Sequence, residues 1–107
     1  MPHELDELGR FSDPSLLILA SLAGGPKHGY AMTEDIAQMS GVTLGPGTLY
    51  GALARLEQRG LIEALPAEER RRPYHITGVG AAALREQLTQ IERFASAGLR
   101  RLGLQET

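Results

Sequence analysis

The stretch Gly45-Pro46-Gly47-Thr48-Leu49-Tyr50-Gly51-Ala52-Leu53-Ala54-Arg55-Leu56-Glu57-Gln58-Arg59-Gly60-Leu61-Ile62-Glu63-Ala64-Leu65 changes its period midway, and that change decides the fold. Leu49, Leu53 and Leu56 stand four and three residues apart, the spacing that gathers side chains on one helix face. Gly45 to Thr48 opens this helix, with Thr48 a candidate N-cap, and Gly60 ends it. Leu61 to Leu65 then reads as a short strand. Pro66 to Arg72 is polar and charged and reads as a turn. Tyr74-His75-Ile76-Thr77 alternates again and can pair back to complete a hairpin.

Two helices are expected before this segment. Asp13-Pro14-Ser15 is a helix start, with Asp13 able to cap and Pro14 suited to the first helical position. Leu16, Leu17, Ile18, Leu19 and Leu22 follow, so this helix should be largely buried, and Gly24-Gly25-Pro26 stops it. A second helix is expected from Gly29 to Ser40, with Met32, Ile36 and Met39 in the core. Gly41 can close it in the left-handed conformation. Beyond the hairpin, Thr77 can cap a long helix. There Leu84, Leu88, Ile91, Ala95 and Leu102 form a narrow seam resembling a coiled-coil face.

The order helix, helix, helix, hairpin, long helix predicts a mainly α fold, an α+β winged helix-turn-helix. It comprises a three-helix core, a two-stranded β wing and a long C-terminal dimerisation helix. The expected division is residues 1–12 as an N-terminal arm or short helix, 13–77 as the DNA-binding domain and 78–107 as the dimerisation helix.

Composition narrows the function. The 107 residues suit one domain, and a 42% hydrophobic content with two Phe and three Tyr leaves the core to aliphatic side chains. So short a chain gains stability by burying surface against a copy of itself. With no Cys, disulfides, thiolate metal sites and Cys nucleophiles are excluded, and a reducing cytoplasm fits. The run Leu16 to Ala23, broken by Ser21, is too short to span a bilayer, and the acidic first residues do not resemble a signal peptide. The net charge of −2 is unusual for a nucleic-acid binder. Its distribution matters more: Glu4, Asp6, Glu7 and Asp13 crowd the first residues, while Arg70, Arg71 and Arg72 form a local basic cluster able to contact phosphate. His3, His28 and His75 have no metal-ligand spacing, and neither a G-x-S-x-G elbow nor a phosphate-binding loop occurs. An enzyme is not expected, and neither a cofactor nor a metal is assigned.

Several blocks carry a family resemblance. Gly25-Pro26-Lys27-His28-Gly29-Tyr30, Gly47-Thr48-Leu49-Tyr50, Ala52-Leu53-Ala54-Arg55-Leu56-Glu57 and Gly60-Leu61-Ile62, with the later Tyr74-His75-Ile76-Thr77 and Gly80, resemble the PadR-type transcriptional regulators. The resemblance covers roughly residues 15–84. It implies a dimeric winged-helix repressor whose C-terminal helix dimerises, acting on double-stranded DNA and responding to a small-molecule effector. Two departures stand out. Gly51 replaces the usual Pro after the Tyr, which should loosen the third helix, since Gly costs about 1 kcal/mol relative to Ala. The single terminal helix resembles the short members of the family.

With the third helix as the reading element, Thr48, Tyr50 and Arg55 are the expected DNA contacts, joined by Arg70, Arg71 and Arg72 of the wing. Tyr50 can instead pack on the domain and Arg55 can be merely solvated. Lys27 can reach phosphate beside the positive end of the second helix. His28, beside it, is counted among the DNA-binding candidates, although it suits a structural hydrogen bond better than a ligand role. Tyr30 is expected mostly in the core with its hydroxyl free for the DNA backbone. Leu84, Leu88, Ile91, Phe94, Ala95 and Leu102 are the expected dimerisation residues, with a pocket shared by Phe11 and Phe94 as the alternative for the latter. Two recognition helices about 34 Å apart would favour an inverted-repeat operator. A winged-helix protein-interaction module without DNA binding is the competing function, motivated by the acidic balance and Gly51.

Overall fold

The structure, a computed structural model, describes residues 13–104; the expected N-terminal arm and Phe11 lie outside them. Helix α1 spans Pro14–Ala23, α2 Gly29–Ser40 and α3 Pro46–Gln58. Strands β1 (Ile62–Ala64) and β2 (Tyr74–Ile76) follow, and α4 runs over Gly78–Arg101. The strands pair antiparallel with Ile62 opposite Ile76, Glu63 opposite His75 and Ala64 opposite Tyr74. This is the winged-helix order expected from the sequence.

Local chemistry sets the element ends. The Asp13 side chain accepts from the Ser15 N–H with Pro14 in the first turn, and Gly41 closes α2 at φ 77°. Helix α3 is capped differently from expectation. Gly45 is its N-cap and Pro46 its first residue, leaving Thr48 inside the helix. Pro46 pre-sets the backbone angle a first turn needs and lacks only an N–H that would have no partner there. The helix continues unbroken through Gly51, where an added Cβ would meet only Arg55 Nη1, at 3.6 Å.

The core forms around α1, which contacts all three other helices and β2. Leu16, Leu17, Ile18, Leu19 and Leu22 pack with Met32, Ile36, Leu44, Leu49, Ala52, Leu53, Leu56, Ile62 and Leu84. Burial of each such aliphatic side chain contributes about 1.5–3 kcal/mol. Met39, about 60° around α2 from Ile36, is 49% exposed rather than core. Ser21, the one buried polar residue among the described residues, donates to the Asp35 carboxylate at 2.6 Å.

Thr77 joins α3, the wing and α4. Its hydroxyl donates to the Gly60 carbonyl at 2.7 Å and accepts from the Gly80 N–H at 3.0 Å. A side chain at Gly80 would run into the Leu61 carbonyl oxygen and crowd Ile76, so glycine lets α4 seat this closely. The expected dimerisation seam divides at this seat. Leu84, at 6% exposure, belongs to the protein's own core, and Ile91 packs half-buried against it. Farther along, Leu88, Phe94, Leu99 and Leu102 are exposed, Phe94 at 81%.

Candidate nucleic-acid interface

Three elements meet at one concavity of about 380 Å³, lined by His28, Gly29, Tyr30, Tyr50, Arg70, Arg71, Arg72 and Tyr74. Six of these, all but Gly29 and Tyr74, are residues the sequence marks as DNA contacts. Their convergence depends on backbone pairing outside the named strands. Lys27 and Tyr74 exchange both backbone hydrogen bonds, at 3.2 and 2.9 Å. This bridge ties the turn before α2 to the wing and sets His28 and Tyr30 beside the arginines. Beyond β1 and β2 the Leu65 N–H donates to the Pro73 carbonyl at 2.8 Å, and the Glu63 carboxylate pairs with His75 Nε2 at 3.0 Å.

The wing tip is a two-residue reversal. Glu68 and Arg71 exchange backbone hydrogen bonds around Glu69 and Arg70, whose φ angles are 48° and 70°. Positive φ at both central positions is the hairpin pattern normally assigned to Asn-Gly. Two side-chain-bearing residues in that region cost about 1–2 kcal/mol each. The strain is local to the segment that presents Arg70.

Tyr30 is 66% exposed, not in the core. Gly29 takes the buried position at the start of α2, and the next residue points about 100° away around the helix. Tyr50 is also exposed, with its ring against Gly29: a Cβ on that glycine would lie 2.5 Å from the Tyr50 hydroxyl. Tyr74 is half-buried. Burial, helped by the nearby Glu57 carboxylate, raises its phenol above the ordinary value, with Arg72 opposing.

Lys27 is turned away from this face. Its ammonium donates to the carbonyls of Ser21 at 2.6 Å and Gly25 at 3.1 Å and stands 3.9 Å from the Asp35 carboxylate. It thus satisfies carbonyls at the end of α1, the negative end of that helix. His28 caps α2 through Nδ1, the structural role the sequence favours.

On α3, Leu49, Ala52, Leu53 and Leu56 are buried. With about 3.6 residues per turn, Gly47, Gly51, Ala54 and Gln58 occupy the opposite arc. Thr48, Arg55 and Arg59 flank one side of that arc; Tyr50 and Glu57 flank the other. Arg55 lines a separate groove with Asp13, Leu16, Leu56 and Arg59, so the fold does not bring it to the tyrosine–arginine concavity. Two features of the site escaped the sequence reading, Tyr74 and the bare Gly-Gly-Ala arc, as did the exposed Leu99 on α4. Leu99 carried a legible signal, four residues after Ala95 and three before Leu102.

Among the described residues no cluster of three or more His, Asp or Glu could hold a metal ion, and no helix is long and apolar enough to cross a membrane.

Residues 18–86 match the transcriptional regulator PadR-like family. A transcriptional regulator of Mycobacterium tuberculosis is 38% identical over 86 residues, covering 75% of this chain and 77% of that protein. An uncharacterised 37.1 kDa protein of a Streptomyces fradiae transposon is 44% identical over 86 residues, which are 80% of this chain and a quarter (25%) of that protein. Among solved structures, a transcriptional regulator from Clostridium thermocellum superposes with a TM-score of 0.71 at 29% identity, over 80% of this chain and 89% of that one. A PadR family transcription regulator from Clostridium difficile gives 0.70 at 28% identity, over 83% and 96%.

Proposed function

Because the chain belongs to the PadR-like family of transcriptional regulators, we propose that it binds double-stranded DNA as a homodimer and represses transcription from an inverted-repeat operator. The observation that carries this reading is the convergence of His28, Tyr30, Tyr50 and three wing arginines on one face beside α3. The bare arc of α3 supports it. Gly47, Gly51 and Ala54 leave the backbone close to whatever faces it, so the helix can seat deeply in a major groove. The flanking Tyr30 and Tyr50 hydroxyls and the wing arginines then stand where phosphates run, positioning the helix without reading sequence. Thr48 and Arg55 on the other flank are the side chains assigned to base or phosphate contact there. Lys27 is left out of the contact set.

The homodimer reading rests on α4. About 36 Å long at 1.5 Å per residue, it carries one apolar stripe that begins in the core at Leu84 and continues outward. Leu88, Leu99 and, at the C-cap, Leu102 are exposed along it, with Ala95 between and the exposed Phe94 at its edge. A run of this size is covered in a stable protein, and its near-heptad spacing suits a second copy of the same helix. An effector that releases the repressor belongs to the same proposal, as does a cytoplasmic location.

The experiment is selection of binding sites from random duplexes by the purified protein, with light scattering of free and bound forms. The expected result is an inverted repeat with half-sites about one helical turn apart and a mass of two chains. A monomeric mass overturns the dimer. A stable complex with another protein, with no duplex retained at low salt, would instead favour a protein-interaction module.

A further inference from the structure

His28 faces two donors with one lone pair. Its Nδ1 is 3.4 Å from the Ala31 N–H, and its Nε2 is 3.2 Å from Nη1 of Arg71. An amide N–H and a guanidinium can only donate. A neutral imidazole has one proton and one lone pair, and an imidazolium has two protons and no lone pair. Neither form satisfies both neighbours. With the lone pair on Nδ1, where it caps α2, the Nε2–H points at the guanidinium. One oxygen acceptor placed beside the pair, where both Nε2–H and the guanidinium can donate to it, removes the conflict and leaves the cap intact.

The surroundings favour a charged oxygen over water. The His28–Arg71 pair opens on the concavity that also holds Arg70, Arg72, Tyr30 and Tyr50. Glu68 and Glu69, with Pro73, line a second hollow that shares His28 and Arg71. They repel an anion there and direct it toward the Tyr50 side. At 3.2 Å the two nitrogens are too close to serve separate phosphates.

We propose that His28 Nε2–H and the Arg71 guanidinium together clamp a single backbone phosphate of bound DNA, with the Ala31 N–H holding His28 in the tautomer that can donate to it. The clamp joins the start of α2 to the wing through the ligand. It rests on the DNA-binding reading and adds to it which phosphate donors act as one unit.

The test is a double-mutant cycle with a short random-sequence duplex at low salt, since phosphate contacts need no particular sequence. His28→Asn keeps a good N-cap but loses the Nε2–H, and Arg71→Ala removes the other jaw. Each single variant should lose about tenfold in affinity, and the double variant should fall within about threefold of the weaker single, because residues sharing one partner do not add. Losses that multiply to about a hundredfold would overturn the clamp. The ¹⁵N spectrum of His28 in the wild-type complex should show the proton on Nε2; a proton on Nδ1 overturns it equally. If the wild type binds no duplex, the DNA-binding reading fails and titration with inorganic phosphate decides the clamp. A shift at His28 Nε2 that disappears in Arg71→Ala supports it as an anion site, and no shift overturns it.

Discussion

Changing Gly80 to alanine sets helix propensity against packing. In an open helix interior, Gly to Ala stabilises by up to about 1 kcal/mol. At Gly80 the new Cβ would run into the Leu61 carbonyl oxygen and lie 2.9 Å from Ile76 Cγ1. The oxygen belongs to backbone that receives the Thr77 N–H at 3.1 Å, so it cannot swing aside as a side chain would. The first turn of α4 must therefore move outward. Overpacking of this kind costs about 1–3 kcal/mol. The shift also weakens the 3.0 Å cap bond from the Gly80 N–H to Thr77 Oγ1, worth about 1 kcal/mol. After the propensity gain, a net loss of about 1–3 kcal/mol is expected. Gly51 is the control, because a Cβ there meets only Arg55 Nη1, at 3.6 Å, on a helix away from the α4 stripe. Urea unfolding at one fixed protein concentration, which keeps any dimer contribution constant, should show Gly80→Ala destabilised and Gly51→Ala at least as stable as the parent. If Gly80→Ala matched or exceeded the parent, the close seat of α4 on the end of α3 would be wrong.

Lys27→Met should lower stability by about 1–2 kcal/mol by leaving α1 carbonyls without their donor, while the salt slope of DNA binding stays that of the parent; a slope reduced by about 0.9 would mean that Lys27 contacts phosphate. The pair Glu69→Asn and Arg70→Gly should raise the unfolding midpoint, with a gain of about 1 kcal/mol or more from relieving two positive φ angles; no gain in urea unfolding would contradict the strained turn. Tyr74 gives a pH dependence at alkaline values. Its folded phenol titrates above the ordinary value of 10.0, so the unfolded chain loses this proton first. Stability should therefore be fully present below pH about 10 and decline as pH rises through the folded value. Tyr74→Phe should flatten that part of the stability-against-pH curve, and an unchanged slope would refute the assignment.

Where the sequence was informative, local chemistry carried the signal. Asp13-Pro14, Gly41 and Thr77 announce helix ends because capping is settled within three or four residues. Ile62 and Ile76 announce paired strands because a half-buried strand alternates. The errors lie where a residue's fate depends on distant chain. Periodicity groups Met39 with Ile36, yet Met39 lies about 60° around α2 from it and is exposed. Leu84 and Leu88 look equivalent along α4, and only the position of α1 makes one core and the other surface. That the Lys27 ammonium donates to carbonyls at the end of α1 is likewise invisible until the fold brings those segments together. The site was legible as residue types, His28 through Arg72, but not as one concavity, because the Lys27–Tyr74 bridge that assembles it joins residues far apart in sequence. Glu69 and Arg70 carry no Gly or Asn signal for the turn they form.

If the start of α2, the bare arc of α3 and the wing form one DNA-binding face, hydrogen-exchange footprinting with and without the selected duplex will show it. Added protection should be confined to residues 28–31, 46–58 and 68–74, with α1 and the outer half of α4 unchanged. Protection on α4 with none at α3 or the wing would contradict it.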